Sequence, residues 1–595
     1  MTTPVAADPA TWGIDPGYHS ISGEWIPTPQ ATRDSLLQIM AGERLEPEPS
    51  SVVVHTVGAP LNRPEWAEIV TEIGDSVTDL SLPLPLGYHR YYGHDNREGQ
   101  LIIVPSNCYL PTELRGWAWA VQLYALRSSL SWGHGDFADL RRLARWSRDL
   151  GATTLLLNPL HSDRSGPPQS RSPYRPSSRL FRNPLYLRIE EVPGADSAGL
   201  PLANLARRGE ALNSAPEIDR DQVLELKLAA LRQIWSAFPP PPEFISWQET
   251  SSPRLLEYAT FCALSEHLGD SWRSWPNHNR RPSCALHPIS DEGWRRQILF
   301  HQWLQWLLER QLAAAALELP PLQDLAVGAD PEGADSWMFQ DCLAEGVSVG
   351  APPDDFSPQG QDWSILAFDP WKLRQQGYVP FIQMLQANLQ HSFGLRIDHV
   401  MGLFRLYWIP RQARIEEGAY VRYPYSDLLG ILALESQRAG AIIVGEDLGT
   451  VEEQVRSELA QRQILSYRLA WFEDHPPEEY PAQALAALTT HDLPTLAGVW
   501  SQSDPSLQIR ERLQRHCQIP AAASVAEAGL AAYHRLARSP SALVAASLED
   551  AVGSHHRPNY PGVDTPTNWS QALPQGLEEL INNHSVAELA AQLRR

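Results

Sequence analysis

The 595-residue chain carries 48 Lys and Arg against 70 Asp and Glu, for a formal charge of -22. That acidity repels phosphate backbones and anionic lipid, and no basic cluster with interleaved aromatics offsets it, so nucleic-acid and membrane roles are excluded as expectations. Hydrophobic residues at 43% supply a large core, yet no apolar run approaches the roughly 20 residues of a membrane-spanning helix.

The opening stretch, MTTPVAADPATWG, has neither a basic start nor an apolar run, so nothing marks it for secretion and a cytoplasmic location is expected. The first predicted element is a short helix over about 30–42, QATRDSLLQIMAG, with Leu36, Leu37 and Met40 at helical spacing and Gly42 as its stop. From Ser51 the runs SVVVHTVG, SVTDLSL and LIIVP, broken by Pro, Gly and Asn, predict a small β-rich domain. Residues 1–112 are therefore expected to form an amino-terminal extension.

After Gly116 strands alternate with helices. WAWAVQLYAL, FADLRRLARWSRDLG and ATTLLLNPL read as strand, helix and strand, the repeating unit of a parallel sheet. Residues 185–290 interrupt with helices such as RLLEYATFCALSEHLG and Pro-rich links, and are expected to be an insertion. The rhythm returns with the helical WRRQILFHQWLQWLLERQLAAAALE, then LQDLAVG, GLRIDHV, AGAIIVGEDLG and AALTTHDLPT. The predicted fold class is α/β, a TIM (β/α)8 barrel over 113–595 with helical insertions, behind the small β-rich domain.

Five cysteines, Cys108, Cys262, Cys284, Cys342 and Cys517, are scattered, odd in number and without a CxxC pair, which predicts reduced thiols and neither disulfides nor a zinc site. No metal ligand cluster and no cofactor motif stands out. The substrate is expected to be neutral or cationic, and 21 Trp and 18 Tyr suit stacking on sugars as well as they suit a large core.

Three strand-like runs end in carboxylates: Asp398 after GLRI, Glu446 after AIIVG and Asp492 after AALTTH. In an α/β barrel, carboxyl ends of different strands converge on one cleft, and two carboxylates suffice for retaining glycosyl chemistry: one attacks the anomeric carbon, the other moves protons. Singly, each is a weak signal, since an Asp or Glu at a strand end more often caps a helix or pairs with Arg. Arg396 stands two residues before Asp398 on the same strand face, where its charge either favours an ionised Asp398 or makes an ordinary ion pair. His399 and His491 adjoin two of the acids.

Six segments, in one order, resemble glycoside hydrolase family 77, the 4-α-glucanotransferases. They are QLYALRSSLSWGHGDFADLRRLARWSRDLGATTLLLNPLH, SPYRPSSRLFRNPLYL from Ser172, APPDDFSPQGQDW from Ala351, GLRIDHVMGLFRLYWIP, VGEDLG and THDLPT. The resemblance implies Asp398 as nucleophile, Glu446 as acid/base and Asp492 as the third carboxylate, which favours the distorted sugar. It further implies sugar contacts from His399 and His491, charged support from Arg396, and Asp324 of LQDLAVG as the partner of that Arg. Tyr174 of SPY would stack on the reacting glucose, and Asp354, Gln361 and Trp363 would lie on a loop, about 350–366, overhanging the site.

The implied reaction is transfer of α-1,4-glucan segments, with maltodextrin, starch or glycogen as substrate and no cofactor. Two alternatives stand beside it: a hydrolase of the α-amylase clan using the same carboxylates, and a glucan-binding protein that has lost catalysis. The chain departs from the family pattern at Asp355, where an aromatic is common, at Ser364-Ile365, where Gly is frequent, and at Ala326, a usual Pro.

Overall fold

The computed structural model describes residues 7–20, 22–197, 199–252, 254–285, 291–354, 357–449, 451–504, 506–563 and 565–595; Asp355, and 286–290 at the end of the expected insertion, lie outside these residues. Eight strands make one sheet: β1 (Gly116–Val121), β2 (Thr154–Leu157), β3 (Leu322–Leu325), β4 (Gly394–Ile397), β5 (Ile442–Gly445), β6 (Ser466–Leu469), β7 (Ala484–Ala487) and β8 (Leu543–Ser547). Their spatial order is β5-β4-β3-β2-β1-β8-β7-β6, cyclic in sequence. A parallel bridge from Val444 to Leu465, one residue before β6, nearly closes the barrel. The pairs β1–β2, β2–β3, β1–β8 and β7–β8 are parallel. This is the α/β barrel expected from the alternating pattern.

Strands of such a sheet are covered on both faces and read as continuous apolar runs. TLLL of β2, IIVG of β5 and ALAA of β7 are buried at every position. The flanking helices include α1 (Phe137–Asp149), α2 (Glu292–Ala316), α3 (Val379–Leu389), α4 (Tyr425–Ala439), α5 (Glu453–Gln461), α6 (Val525–Ala537) and α7 (His584–Leu593). Helix α1 shows how local chemistry sets a boundary. The Asp136 carboxylate accepts from the amides of Ala138 and Asp139, and Asp139 reaches back to the Asp136 amide, a capping box worth about 1 kcal/mol. Phe137, Leu140, Leu143 and Ala144 then form its buried stripe. Helix α4 stops at Gly440, whose φ of 60° suits a residue without Cβ.

The chain divides into two compact units. The first comprises residues 1–111, 339–390 and 397–466. It holds the predicted short helix, Gln30–Met40, and a five-stranded sheet in the order Val52–Thr56, Glu98–Val104, Gly87–Gly93, Trp66–Val70, Ser76–Val77. Trp66, Ile69, Leu84, Leu101 and Ile103 form the core of that sheet, and Trp66 stacks on Tyr91 at 4.0 Å. The strands WAEIV and GYHRYYG fall outside the expected β runs, because their pairing and the Trp66–Tyr91 contact, rather than a clean alternation, stabilise them. A further antiparallel sheet, Gln361–Ile365, Val347–Ala351, Arg405–Pro410 and Ala419–Arg422, has no counterpart in the sequence reading.

The second unit comprises residues 112–338, 391–396 and 467–595. Its main core is aromatic, with Trp119 stacked on Trp146 at an interplanar angle of 7° and edge-on to Trp117. The helices Leu202–Ala211, Arg220–Ala237, Pro242–Thr250 and Arg254–Leu268 lie within the expected insertion. Among the described residues no helix is long and apolar enough to cross a membrane.

Candidate active site

In the first unit, β5 ends at Gly445 and delivers Glu446 beside the segment that carries Asp398. The Glu446 amide donates to the Ile397 carbonyl at 3.0 Å, and the Val400 amide donates to the Glu446 carbonyl at 3.0 Å. One carboxylate oxygen of Glu446 accepts from the His399 amide at 2.9 Å, the other from the Leu448 amide at 2.8 Å. Asp398 thus sits between two residues whose backbones are bonded to Glu446, so the two acids are held on neighbouring chain segments. The approach is close: a Cβ at Gly445 would come within 3.0 Å of Val400 Cγ2.

His399 has a positive φ of 45°, an uncommon conformation for a residue with a side chain, of the kind that functional sites hold by their surroundings. Burial, and then the charge of Arg405, push its pKa down to about 4, so the ring is neutral at physiological pH. It meets Trp363 edge-on at 5.1 Å. Trp363 is half-buried and donates from Nε1 to Gln361 Oε1 at 3.1 Å. Asp354 accepts from the Ser357 amide at 2.6 Å, whereas Gln361 and Trp363, expected on a loop, stand on the strand Gln361–Ile365, which pairs with Val347–Ala351. Ser364 has a φ of 54°, which favours glycine and explains why Gly is frequent there; the serine of this chain takes up that conformation at a cost.

In the second unit, β3 carries Asp324 and β4 carries Arg396. Arg396 Nη1 lies 2.6 and 2.7 Å from the two carboxylate oxygens of Asp324. The Tyr174 hydroxyl donates to Asp324 Oδ2 at 2.6 Å, and its oxygen lies 3.3 Å from His491 Nδ1. With that hydroxyl hydrogen committed to Asp324, His491 Nδ1 is the donor, while His491 Nε2 faces Asp492 Oδ2 at 3.3 Å. Asn559 donates to the other Asp492 oxygen at 2.7 Å, and Arg557 to the Asp492 carbonyl at 3.0 Å. The rings of Tyr174, His491 and Trp569 pack together with centroids 4.9 to 5.3 Å apart. A cavity of about 40 Å³ is lined by Tyr174, Asp324, Arg396, His491 and Glu549 among others.

Burial works against a charge on His491, but the Asp492 carboxylate beside it prevails and raises its pKa above the ordinary 6.5. Withdrawal from water likewise opposes ionisation of Asp492, and the His491 charge with the Asn559 amide prevails, holding the carboxyl below 3.8. His491 therefore stabilises the fold fully below about 6.5, and this contribution fades as pH rises through its raised value. Asp492 contributes above about 3.9, and its share fades as pH falls through its depressed value. Thermal unfolding of wild type and Asp492→Asn should differ most at about pH 5 to 6, with the gap closing above neutrality. The gap should be small, because Asp492 is 41% exposed and solvent screens the pair. A gap that widens steadily towards alkaline pH would contradict the pairing.

Asn559, Arg557 and Trp569 escaped the sequence reading, since they stand on irregular segments, RPNYPG and TPTNWS, that have no periodicity. Glu549 also escaped it. It follows the apolar run of β8, so the strand-end rule used for the other acids points to it as well. Burial pushes its carboxyl up to about 7. Ala326, unlike the Pro it replaces, keeps an amide N–H, which donates to His161 Nε2 at 3.3 Å. No group of three or more potential metal ligands occurs among the described residues.

A nearly closed parallel barrel with acids following its strands defines a (β/α)8-barrel enzyme equipped for glycosyl chemistry. The profile of the 4-alpha-glucanotransferase family matches residues 121–576, and the chain belongs to that family. It is 38% identical to the 4-alpha-glucanotransferase of Mycobacterium tuberculosis, covering 88% of this chain and 82% of that one. The 4-alpha-glucanotransferase of Haemophilus influenzae is 32% identical, with coverage of 89% and 86%. Among solved structures, amylomaltase from Corynebacterium glutamicum superposes with a TM-score of 0.86 at 30% identity, over 98% of this chain and 99% of its own.

Proposed function

We propose that the chain moves α-1,4-glucan segments between maltodextrins by double displacement with retention. A carboxylate oxygen of Asp398 attacks C1 of the donor glucose while Glu446 passes its proton to the departing glycosidic oxygen, leaving a glycosyl ester on Asp398. Glu446, now ionised, takes the proton from the 4-hydroxyl of an acceptor glucan. That oxygen attacks C1, releases Asp398 and restores an α-1,4 bond. The observation that carries this reading is the bonding of Glu446 to the amide of His399 and the carbonyl of Ile397, the residues on either side of Asp398.

Asp492 then binds sugar hydroxyls as positive charge develops at C1, with His491 and His399 as hydrogen-bonding partners of the same sugar. Tyr174 offers its ring to the glucose, and Asp324 holds Arg396 on the strand that leads into the nucleophile. The segment with Asp354 and, on the strand Gln361–Ile365, Gln361 and Trp363 favours a glucan acceptor over water by covering the ester. Residues 1–112 are an extension to a catalytic barrel over 113–595, a reading that the start of the family match at residue 121 supports. A cytoplasmic setting suits five cysteines that are scattered, odd in number and without a CxxC pair.

Transfer and hydrolysis separate in one assay. Incubated with maltotriose, the protein should produce glucose and longer maltodextrins while reducing ends stay constant, because each bond broken is replaced. A steady rise in reducing ends would identify a hydrolase instead, and an unchanged maltotriose pool a protein that only binds.

A further inference from the structure

Behind the turn that presents Tyr174 lies a second cavity, of about 30 Å³, whose lining includes Tyr124, His161, Asp163, Ser172, Pro173 and Arg220. Two of its polar groups, Arg220 Nη1 and His161 Nδ1, are buried without a hydrogen-bond partner. The residues themselves are only 8% and 5% exposed. Arg220 Nη2 donates to the Trp569 carbonyl at 2.5 Å, and the guanidinium lies 4.8 Å from the Tyr124 ring centroid. Among the described residues no carboxylate forms an ion pair with it; the Asp163 carboxylate attracts it without touching it, and its direct contacts are a carbonyl and a ring.

The hydrogen on His161 can be placed. Ala326 donates its amide to Nε2, so that nitrogen is bare. Burial, followed by the charges of Arg182 and Arg179, keeps the ring neutral. The remaining hydrogen is then on Nδ1, the nitrogen without a partner. The cavity therefore meets two unsatisfied donors, one of them cationic. Asp163 is its carboxylate, and both Asp163 oxygens already accept amides of their own loop, from Arg164 at 2.8 Å and Ser170 at 2.5 Å.

We propose that this cavity binds a small monovalent inorganic anion, chloride in the cell, between Arg220 Nη1 and His161 Nδ1. Water could accept both hydrogens, but it would bring no negative charge into direct contact with the guanidinium, whereas a halide does both and fits a space larger than one water requires. The negative charge of Asp163 limits the affinity to the order of millimolar. Ser172 and Pro173 line the same space, so a bound anion braces the turn that holds Tyr174.

Two measurements on the full chain test this. Crystals soaked in sodium bromide should show an anomalous peak between Arg220 and His161. Separately, replacing sodium gluconate with sodium chloride at constant ionic strength should raise the melting temperature by about 1 °C or more, saturating with concentration. The shift should vanish in Arg220→Gln. Absence of the bromide peak, equal melting in the two salts, or an undiminished shift in Arg220→Gln would each overturn the site. If that variant does not fold, the two wild-type measurements decide alone.

Discussion

Asp398→Asn should lose turnover of maltotriose by roughly four orders of magnitude while binding glucan within about threefold of wild type. The amide matches the carboxylate in shape but cannot attack an anomeric carbon, and no ester forms. The surrounding backbone should survive, because the bonds that pin residues 397 to 400 against residue 446 run through main-chain groups and the Glu446 carboxylate. Initial rates of glucose release, set beside calorimetric binding of a maltodextrin, separate lost chemistry from lost structure. Turnover above a tenth of wild type would assign the nucleophile elsewhere, and a parallel collapse of binding would make Asp398 a structural residue.

Glu446→Gln should behave differently, since its loss removes proton transfer and not the nucleophile. Turnover of maltotriose should fall by about 10² to 10⁴-fold. A maltosyl fluoride donor, whose leaving group needs no proton, should form the glycosyl ester at close to the wild-type rate. Azide, which needs no deprotonation to attack, should then release it as a glycosyl azide. Equal loss on both donors, with no response to azide, would refute the acid/base role. The same variant should also melt lower. The carboxylate accepts the amides of His399 and Leu448 on separate oxygens, and an amide side chain has one oxygen, so one partly buried donor loses its acceptor at a cost of about 1 kcal/mol.

Legibility in the sequence followed the range of the interactions concerned. Asp398, Glu446 and Asp492 could be singled out because each ends a run of apolar residues, a signal that lies within a few positions. Glu549 carries the same signal and was passed over. Tyr174 and Trp363 depended on family resemblance, because a lone aromatic has no period to betray it. The sheet containing Val347–Ala351 and Gln361–Ile365 went unread: Val347–Ala351 pairs with Arg405–Pro410, and cross-strand partners about sixty residues away leave no mark on local alternation.

The sequence by itself determined the barrel rhythm, the strand-end acids and, through six ordered segments, the family. Those are consequences of burial and backbone geometry, which act residue by residue along the chain. Only the tertiary structure decided which groups meet. Tyr174 donates to Asp324 across 150 positions, Asp324 takes Arg396 across 72, and Asn559 orients Asp492 across 67. The orphaned donors of Arg220 and His161 are likewise a property of the folded chain, since whether a buried N–H finds an acceptor depends on what packing brings beside it.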